Sequence, residues 1–538
     1  MEEAPQLQYG PRTNALKTLA DKIYMHELPS YGNKIFYGLG FLALTSLAML
    51  VVTGFILAFL GQAWWLGSGL GVYVRSVHLW SVQALIAILI LHGLVGFTTS
   101  GFRKPRRMVW VFGALMFCLI LITTEFGYGL RGDFSSQFRA TSGADFWNGS
   151  YLGWWVNPLS HLQEYAIHIA IIPILIFGFF VMHYLLERTY GIAKPYRNDI
   201  QVRMVSADHT IMYVRGATLV CAIFVMAFLY HSPYVPPIRI SDLATQKPSA
   251  VETALMQEFD RTSKTATYLD SIDPYTFDTR QVFVTSPYEV LRVISGAPDA
   301  WQTFRDASAY AQSQYITEAE THFGIASASA GAVPSATPNS TSAAKTNTIS
   351  TSTNSSDPFT ATPVATGDLA NSASSTASTS PPQAASSSLV VAPVSINPVI
   401  AIINALMPAA QSGMYESLID SADPAPYTYS LRFLSDMGAP EDMARTLNFA
   451  TDEWGMAKDE TGHILKPTPG SWWFLPLAVL NTVFDLPNRD NGDKIAAESL
   501  GLFMLIMVTF PYIPYLNRLP ELLHLAPIIW KDKNRAQK

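Results

Sequence analysis

The chain reads as an all-α membrane protein, with a four-helix transmembrane bundle, about two further spans and a large extracytoplasmic insert. Three observations predict this. Only 14% of the 538 residues are charged, yet mean hydropathy is modest, so apolar and polar stretches must be segregated along the chain. Apolar runs near 36–60, 72–99, 108–129, 165–189, 209–230 and 496–516 are each long enough to cross the ~30 Å hydrocarbon core of a bilayer. Two of these runs carry paired histidines, His78 with His92 and His168 with His183, fourteen and fifteen residues apart.

Residues 1–35 lack the apolar core and cleavage site of a signal peptide. There Leu16, Leu19, Ile23 and Tyr24 recur at helical spacing, as in a helix lying on a membrane surface. The bundle occupies 36–191, and 192–240 form a cytoplasmic loop and the fifth span. The insert follows, from 241 to 471. Its middle, 326–395, is a Ser/Thr/Ala/Pro-rich tract with almost no charge or aromatic residue, a composition that cannot bury enough apolar surface to fold. The flanks, 241–322 and 397–465, hold Tyr, Phe, Trp and Leu at ordinary densities and read as small folded pieces. A tether or shield fits the insert better than a catalytic domain. Residues 472–538 carry the sixth span.

Loop charges orient the spans. Arg103, Lys104, Arg106 and Arg107 lie between spans two and three; Arg188, Lys194, Arg197 and Arg203 lie between four and five; Lys531, Lys533 and Arg535 lie after six. The positive-inside rule puts these loops, and both termini, in the cytoplasm of a prokaryotic-type inner (cytoplasmic) membrane. Even-numbered spans then run inward, so the two histidine-bearing helices are parallel. A net charge of −6 argues against a nucleic-acid partner. Cys118 and Cys221 fall inside apolar runs, where cysteine behaves as a small core residue, and the sequence has no disulfide framework, covalent haem-attachment motif or zinc signature.

A spacing of fourteen or fifteen residues is ~21–23 Å along a helix, close to four whole turns. Paired histidines thus leave their helix on nearly one face, one towards each membrane surface. In parallel helices His78 meets His168 at one depth and His92 meets His183 at the other. Ionisable groups inside a bilayer are costly and mark function. Zinc would need three or four converging ligands; two and two suits a pair of haems. Glycines repeat the interval: Gly40 and Gly54 in the first span, Gly113 and Gly127 in the third, each pair fourteen apart. Glycine lets a bulky neighbour approach the backbone, so these positions would admit porphyrin edges into the bundle.

The stretch from Lys34 to Gly191 resembles the N-terminal half of cytochrome b, and most closely cytochrome b6. The motifs are KIFYGLGFLALTSLAMLVVTG from Lys34, VRSVHLW from Val74, TSGFRKPRRMVWVFG from Thr99, EFGYGL from Glu125 and HIAIIPILIFGFFVMH from His168. The resemblance implies that His78 and His168 ligate one haem b and His92 and His183 the other, four histidines on two irons. Arg75 matches the arginine that pairs with a haem propionate, and Arg106 joins the cofactor-binding set. GSWWFLPLAVLNTVFDLP from Gly470 looks like the subunit IV segment that follows the family's Pro-Glu-Trp-Tyr motif, but Gly470 and Ser471 stand where that motif has Pro and Glu. Trp472 and Trp473 keep its aromatic part. LRGDFSSQFRAT from Leu130 replaces the family's Leu-Pro-Trp loop, and by resemblance Asp133 in it is the carboxylate nearest the outer quinone pocket. Gly38 stands where cytochrome b6 has a cysteine that holds a covalent haem c, so none is expected. Gln163 stands where the family often has a propionate-binding arginine. Asp208 and His209 are candidates for proton exchange at an inner quinone site, since histidine titrates near neutral pH.

The resemblance therefore implies a dihaem electron-transfer subunit of a quinol–cytochrome c reductase-type complex, with quinone as substrate. Its partners would be a Rieske iron–sulfur protein, a cytochrome c-type subunit and a second copy in a homodimer. The alternative is a dihaem anchor that links a peripheral oxidoreductase to the quinone pool without electron bifurcation.

Overall fold

Ser68 and Gly71 make the turn that folds the first two long helices against each other. Helix α1, Leu39–Gly67, bends at Gly61 (φ 77°), a left-handed conformation that glycine adopts without strain. The next helix, α2, Gly69–Thr98, starts where the Ser68 hydroxyl accepts from the Gly71 N–H at 2.9 Å. A Cβ on Gly71 would lie 2.5 Å from the Trp64 carbonyl oxygen, so that turn tolerates no side chain. The computed structural model describes residues 27–153, 155–193, 203–232, 234–269, 277–325, 397–421, 428–446, 456–458, 464–469, 472–486 and 492–525. The expected surface helix around Leu16–Tyr24, the tract at 326–395, Gly470, Ser471 and the cationic residues Lys194, Arg197, Lys531, Lys533 and Arg535 lie outside the described residues.

The bundle continues with α3, Arg107–Gly129, and α4, Phe134–Gly149. It closes with α5, His161–Tyr190, which contains one π-helical stretch at Ile167–Ile171. Helix α6, His209–Leu229, packs on α1 and α2 through Ile223, Ala227, Val77 and Met49. A short antiparallel pairing of β1, Glu27–Pro29, with β2, Met204–Ser206, ties the entry of α1 to that of α6. Among the described residues, six helices are long and apolar enough to cross a membrane. Val51, Phe55, Phe59, Ile174, Phe177 and Phe228 stand exposed on their outer faces, a surface that lipid solvates and water does not. The protein is an integral membrane protein of the all-α class, as the sequence predicts.

Two expectations need correction here. The segment from Leu130, read as a loop, leads directly into α4. Asp133 Oδ1 accepts from the Ser136 N–H at 3.0 Å and the Ser136 hydroxyl accepts from the Asp133 N–H at 3.0 Å, a reciprocal cap that starts the helix. The sixth span also ends sooner than 516. Helical structure stops at Thr509 and passes into a short turn at Phe510–Tyr512, because Pro511 cannot continue the hydrogen-bond ladder.

The flanks of the insert are not separate pieces. Helix α7, Pro248–Asp260, and α8, Pro398–Ser412, lie on opposite sides of the tract in sequence and share one core. Val399, Ile402, Ile403, Leu406 and Ala410 of α8 are fully buried, the three-and-four spacing of an amphipathic helix, and they meet Val251, Leu255 and Phe259. Two further helices, α9, Thr428–Asp436, and α10, Ala439–Thr446, reach α4. Phe134 packs against Ala444 there, and Gln137 exchanges two hydrogen bonds with the Ile238 backbone at 2.8 and 2.9 Å. The insert is therefore seated on the bundle through α4. The last long helix, α11, Gly492–Thr509, runs beside α3 and α4, and the Trp110 indole donates to the Met507 carbonyl at 2.8 Å.

Candidate functional site

The four histidines form two facing pairs across the bundle. Ring centroids of His78 and His168 are 6.4 Å apart, and those of His92 and His183 are 6.5 Å apart. Neither pair is a hydrogen bond. A metal held ~2 Å from one nitrogen of each ring would account for a separation of this size.

The ring nitrogens are already sorted into roles. His168 Nδ1 donates to the Thr123 carbonyl at 2.7 Å, and His183 Nδ1 to the Val109 carbonyl at 2.8 Å. For His78 the partner is the Thr53 hydroxyl at 2.9 Å, whose own proton is committed to the Met49 carbonyl at 2.6 Å. The imidazole must therefore be the donor. A donor at Nδ1 leaves the Nε2 lone pair free for a metal. Spans one and three thus orient three of the four imidazoles that spans two and four carry.

The second histidine helix solves a problem of register. At ~100° per residue, fourteen residues fall ~40° short of four turns and fifteen overshoot by ~60°. His168 lies in the π-helical stretch Ile167–Ile171. One residue is absorbed there, and His183 returns to the face on which His92 awaits it.

Gly54, Gly127 and Gly113 lie directly against the histidine rings. An added Cβ would lie 3.1 Å from His78 Cε1 at Gly54, 2.7 Å from His168 Cε1 at Gly127 and 3.1 Å from His183 Cε1 at Gly113. These glycines receive the imidazole rings themselves. At Gly40 the distance to His92 Cε1 is 3.6 Å, an ordinary contact.

The two arginines carry unspent donors. Arg75 is buried, and its Nη2 donates to the Ser232 carbonyl at 3.1 Å, while Nε and Nη1 have no partner. It lies one turn from His78. Arg106 pairs with Glu187 at 2.6 Å and donates from Nε to the Gly101 carbonyl at 3.0 Å, leaving Nη1 buried and unpaired. Orphaned guanidinium nitrogens beside each histidine pair fit the anionic edge of a haem. The residues present fit two haems.

The remaining candidates divide. Trp472 donates to the Gln83 carboxamide oxygen at 2.7 Å, and the buried Trp473 ring lies 6.4 Å from Tyr128 with its Nε1 unpartnered. Tyr128 also lies under the Arg139 guanidinium, which pairs with Glu125 at 2.8 Å. Sequence reasoning missed Gln83 and Tyr128; a polar residue within an apolar span was the available signal for Gln83. Asp133 is buried, caps α4 and pairs with Arg131 at 2.5 Å. Asp208 is exposed and caps α6, accepting from the Ile211 N–H at 2.9 Å, and His209 opens that helix. Gln163 is spent on its own loop, bonded to the Asn157 N–H and to the Trp155 carbonyl. Gly38 ends a single turn at Ile35–Tyr37.

A family model described as cytochrome b (N-terminal)/b6/petB matches residues 83–240. Cytochrome b6 of Heliobacterium modesticaldum is 31% identical over 206 residues, which is 34% of this chain and 97% of that protein. Cytochrome b6 of Pyropia yezoensis is 28% identical over 202 residues, 34% of this chain and 94% of that protein. A solved chain titled "Hyperthermophilic respiratory Complex III" aligns at 16% identity with a TM-score of 0.34, covering 46% of this chain and 75% of that one.

Proposed function

From the premise that this chain belongs to the cytochrome b6 family, a family of haem-carrying membrane proteins of electron transport, we propose that it is the dihaem b subunit of a quinol-oxidising complex. The observation that carries the reading is the pair of facing histidine couples, 6.4 and 6.5 Å apart. Haem b, when bound, supplies one-electron chemistry; the protein supplies position, ligands and dielectric. His78 and His168 hold the haem on the outer side, His92 and His183 the one on the inner side, with Thr53, Thr123 and Val109 fixing ring orientation. Arg75 and Arg106 take propionates.

Trp472, Trp473, Tyr128 and Gln83 line the outer quinone pocket, with the Trp473 N–H as its free donor. Asp208 and His209 serve an inner quinone site. Residues 472–538 act as a subunit IV-like segment, the insert stands outside and both termini stand inside. A Rieske iron–sulfur protein, a cytochrome c-type subunit and a second copy of the chain complete the assembly. Spectral titration of the purified protein tests this. His78→Ala removes one b haem and leaves the other, and His92→Ala does the converse; two haems per chain in either variant would sink the pairing.

One observation favours the simpler dihaem conduit without bifurcation. Ser471 stands where relatives place the proton-accepting glutamate, and Asp133 is committed to a helix cap and to Arg131. Quinol-driven reduction of both haems with the inner site inhibited separates the readings. Bifurcated reduction that survives in Asp133→Asn excludes Asp133 as the substitute base. Bifurcated reduction in the unmodified protein excludes the conduit.

A further inference from the structure

Glu164 is a carboxylate outside both histidine pairs and both proposed quinone sites. It is 4% exposed, lies in the first turn of α5, and its carboxylate has no hydrogen-bond or ion-pair partner among the described residues. Four residues separate it from His168, one turn of ~6 Å on the same helix face. It lies against the backbone of Gly129, so close that a Cβ there would collide with its carboxylate oxygens. Gly127, two residues earlier on α3, receives the His168 ring. The carboxylate and the imidazole are thus held between the same two helices, where glycines clear the space.

The charges that face it are otherwise engaged. On α3 Glu125 pairs with Arg139 of α4 at 2.8 Å. Tyr128 of α3 lies beneath Arg139 and Arg131. In the loop after α3, Arg131 pairs with Asp133 at 2.5 Å. On its own helix stand His161, Tyr165 and His168, none of which is bonded to it. Among the described residues, Glu164 is therefore a buried acid with no compensating cation in contact, one turn from a haem ligand.

We propose that Glu164 is a positioning residue for charge. It sets the potential of the haem held by His78 and His168 and couples that haem's reduction to uptake of one proton. A buried anion in a low-dielectric interior stabilises the ferric state over the ferrous state, because ferric haem carries one more positive charge. Ionised Glu164 therefore holds the midpoint potential down. When quinol, or dithionite in a titration, delivers one electron, the site loses one positive charge and the carboxylate takes one proton from water. Charge balance is restored in a place where an unpaired charge is expensive. This rests on the two-haem reading above and names a residue that the reading does not require.

The test is a redox titration of the full-length protein in detergent, followed optically from pH 5.5 to 8.5. The unmodified protein gives two b-type steps, and the midpoint of the His78–His168 haem, identified as the step missing from His78→Ala, falls as pH rises. Glu164→Gln raises that midpoint at neutral pH and flattens its pH dependence, leaving the other step in place. Glu164→Asp retains the slope, which a purely structural role would not require. Two steps with an unchanged slope and midpoint in Glu164→Gln overturn the inference while leaving the two-haem reading intact. A single step in the unmodified protein overturns both.

Discussion

The two histidine pairs have nearly the same separation, yet their surroundings differ. Around His78 and His168 lie a buried arginine with two orphaned nitrogens, a buried unpaired glutamate, the two tryptophans and the insert seated on α4. Around His92 and His183 lie an arginine already paired with Glu187 and a looser glycine. Equal spacing shows that the bundle fixes the four rings. The unequal environments show that the two ends differ in charge and packing one turn away from those rings.

The glycines give the largest expected effect. Gly127→Ala would push a methyl group to within 2.7 Å of His168 Cε1, a contact that a rigid interior relieves only by moving the ring or the helix. Loss of the haem at that pair is expected, with the second haem retained. Gly40→Ala, at 3.6 Å from His92 Cε1, should leave both. Pyridine haemochrome content of the two purified variants decides it, and equal content would erase the contrast between the two ends.

The sequence showed where the four histidines stand but not what orients their rings. His78, His92, His168 and His183 were legible because a titratable residue in an apolar run is a local signal, and the glycines shared their interval. The π-helical stretch at Ile167–Ile171 was not legible, since only the overshoot of fifteen residues hinted at it. Helix α4 was hidden because Asp133 and Ser136 read as loop chemistry, though the same two residues three apart are also a helix start. The joined core of the insert was invisible for a different reason: α7 and α8 meet across the whole tract at 326–395, and no local pattern reports a contact over that distance. Nothing in the local sequence sets Glu164 apart from its polar neighbour Gln163.

Arginine replacement comes next in size. Arg75→Leu removes the only charge on two orphaned donors beside His78 and should weaken haem retention there by roughly tenfold, the scale of a charge-assisted hydrogen bond. Arg106→Leu breaks the Glu187 pair as well, leaving a half-buried carboxylate without its cation, and so should also lower expression of folded protein. Haem dissociation rates measured beside expression yield separate the two outcomes. Equal yield with equal haem loss would mean that the Glu187 pair contributes nothing to the fold.

The insert covering the His78–His168 end should respond to pH. Glu258 in its core is held well above the ordinary carboxylate range by burial first and then by the neighbouring Asp436 carboxylate, while Asp436 accepts from the Thr265 N–H at 2.7 Å. A raised folded-state value means stability that is fully present below the ordinary glutamate value of 4.5 and is lost as pH rises towards the folded value. Amide exchange in α7 and α9, corrected for intrinsic rates, should be about tenfold faster at pH 7.5 than at pH 4.5. Glu258→Gln should remove that difference, and the bundle helices should show none. A pH response of equal size in α2 would place its cause elsewhere.

The smallest effect concerns the hydrogen bonds that orient the rings. Thr53 holds His78 Nδ1 at 2.9 Å through a hydroxyl whose proton is fixed on Met49. Among the described residues His92 has no such hydrogen bond, so the two ligands on one helix differ in how firmly they are aimed. An imidazole whose Nδ1–H is engaged is a stronger donor to a metal through its other nitrogen. Thr53→Val keeps the shape and deletes the acceptor. It should leave two haems in place and shift only the His78–His168 potential, upward, because a weaker axial donor stabilises the ferric state less. A substitution of the same kind near His92 has nothing to delete. If Thr53→Val moved both potentials equally, the ring-orienting contact would be a feature of the whole bundle and the two ends would differ in charge alone.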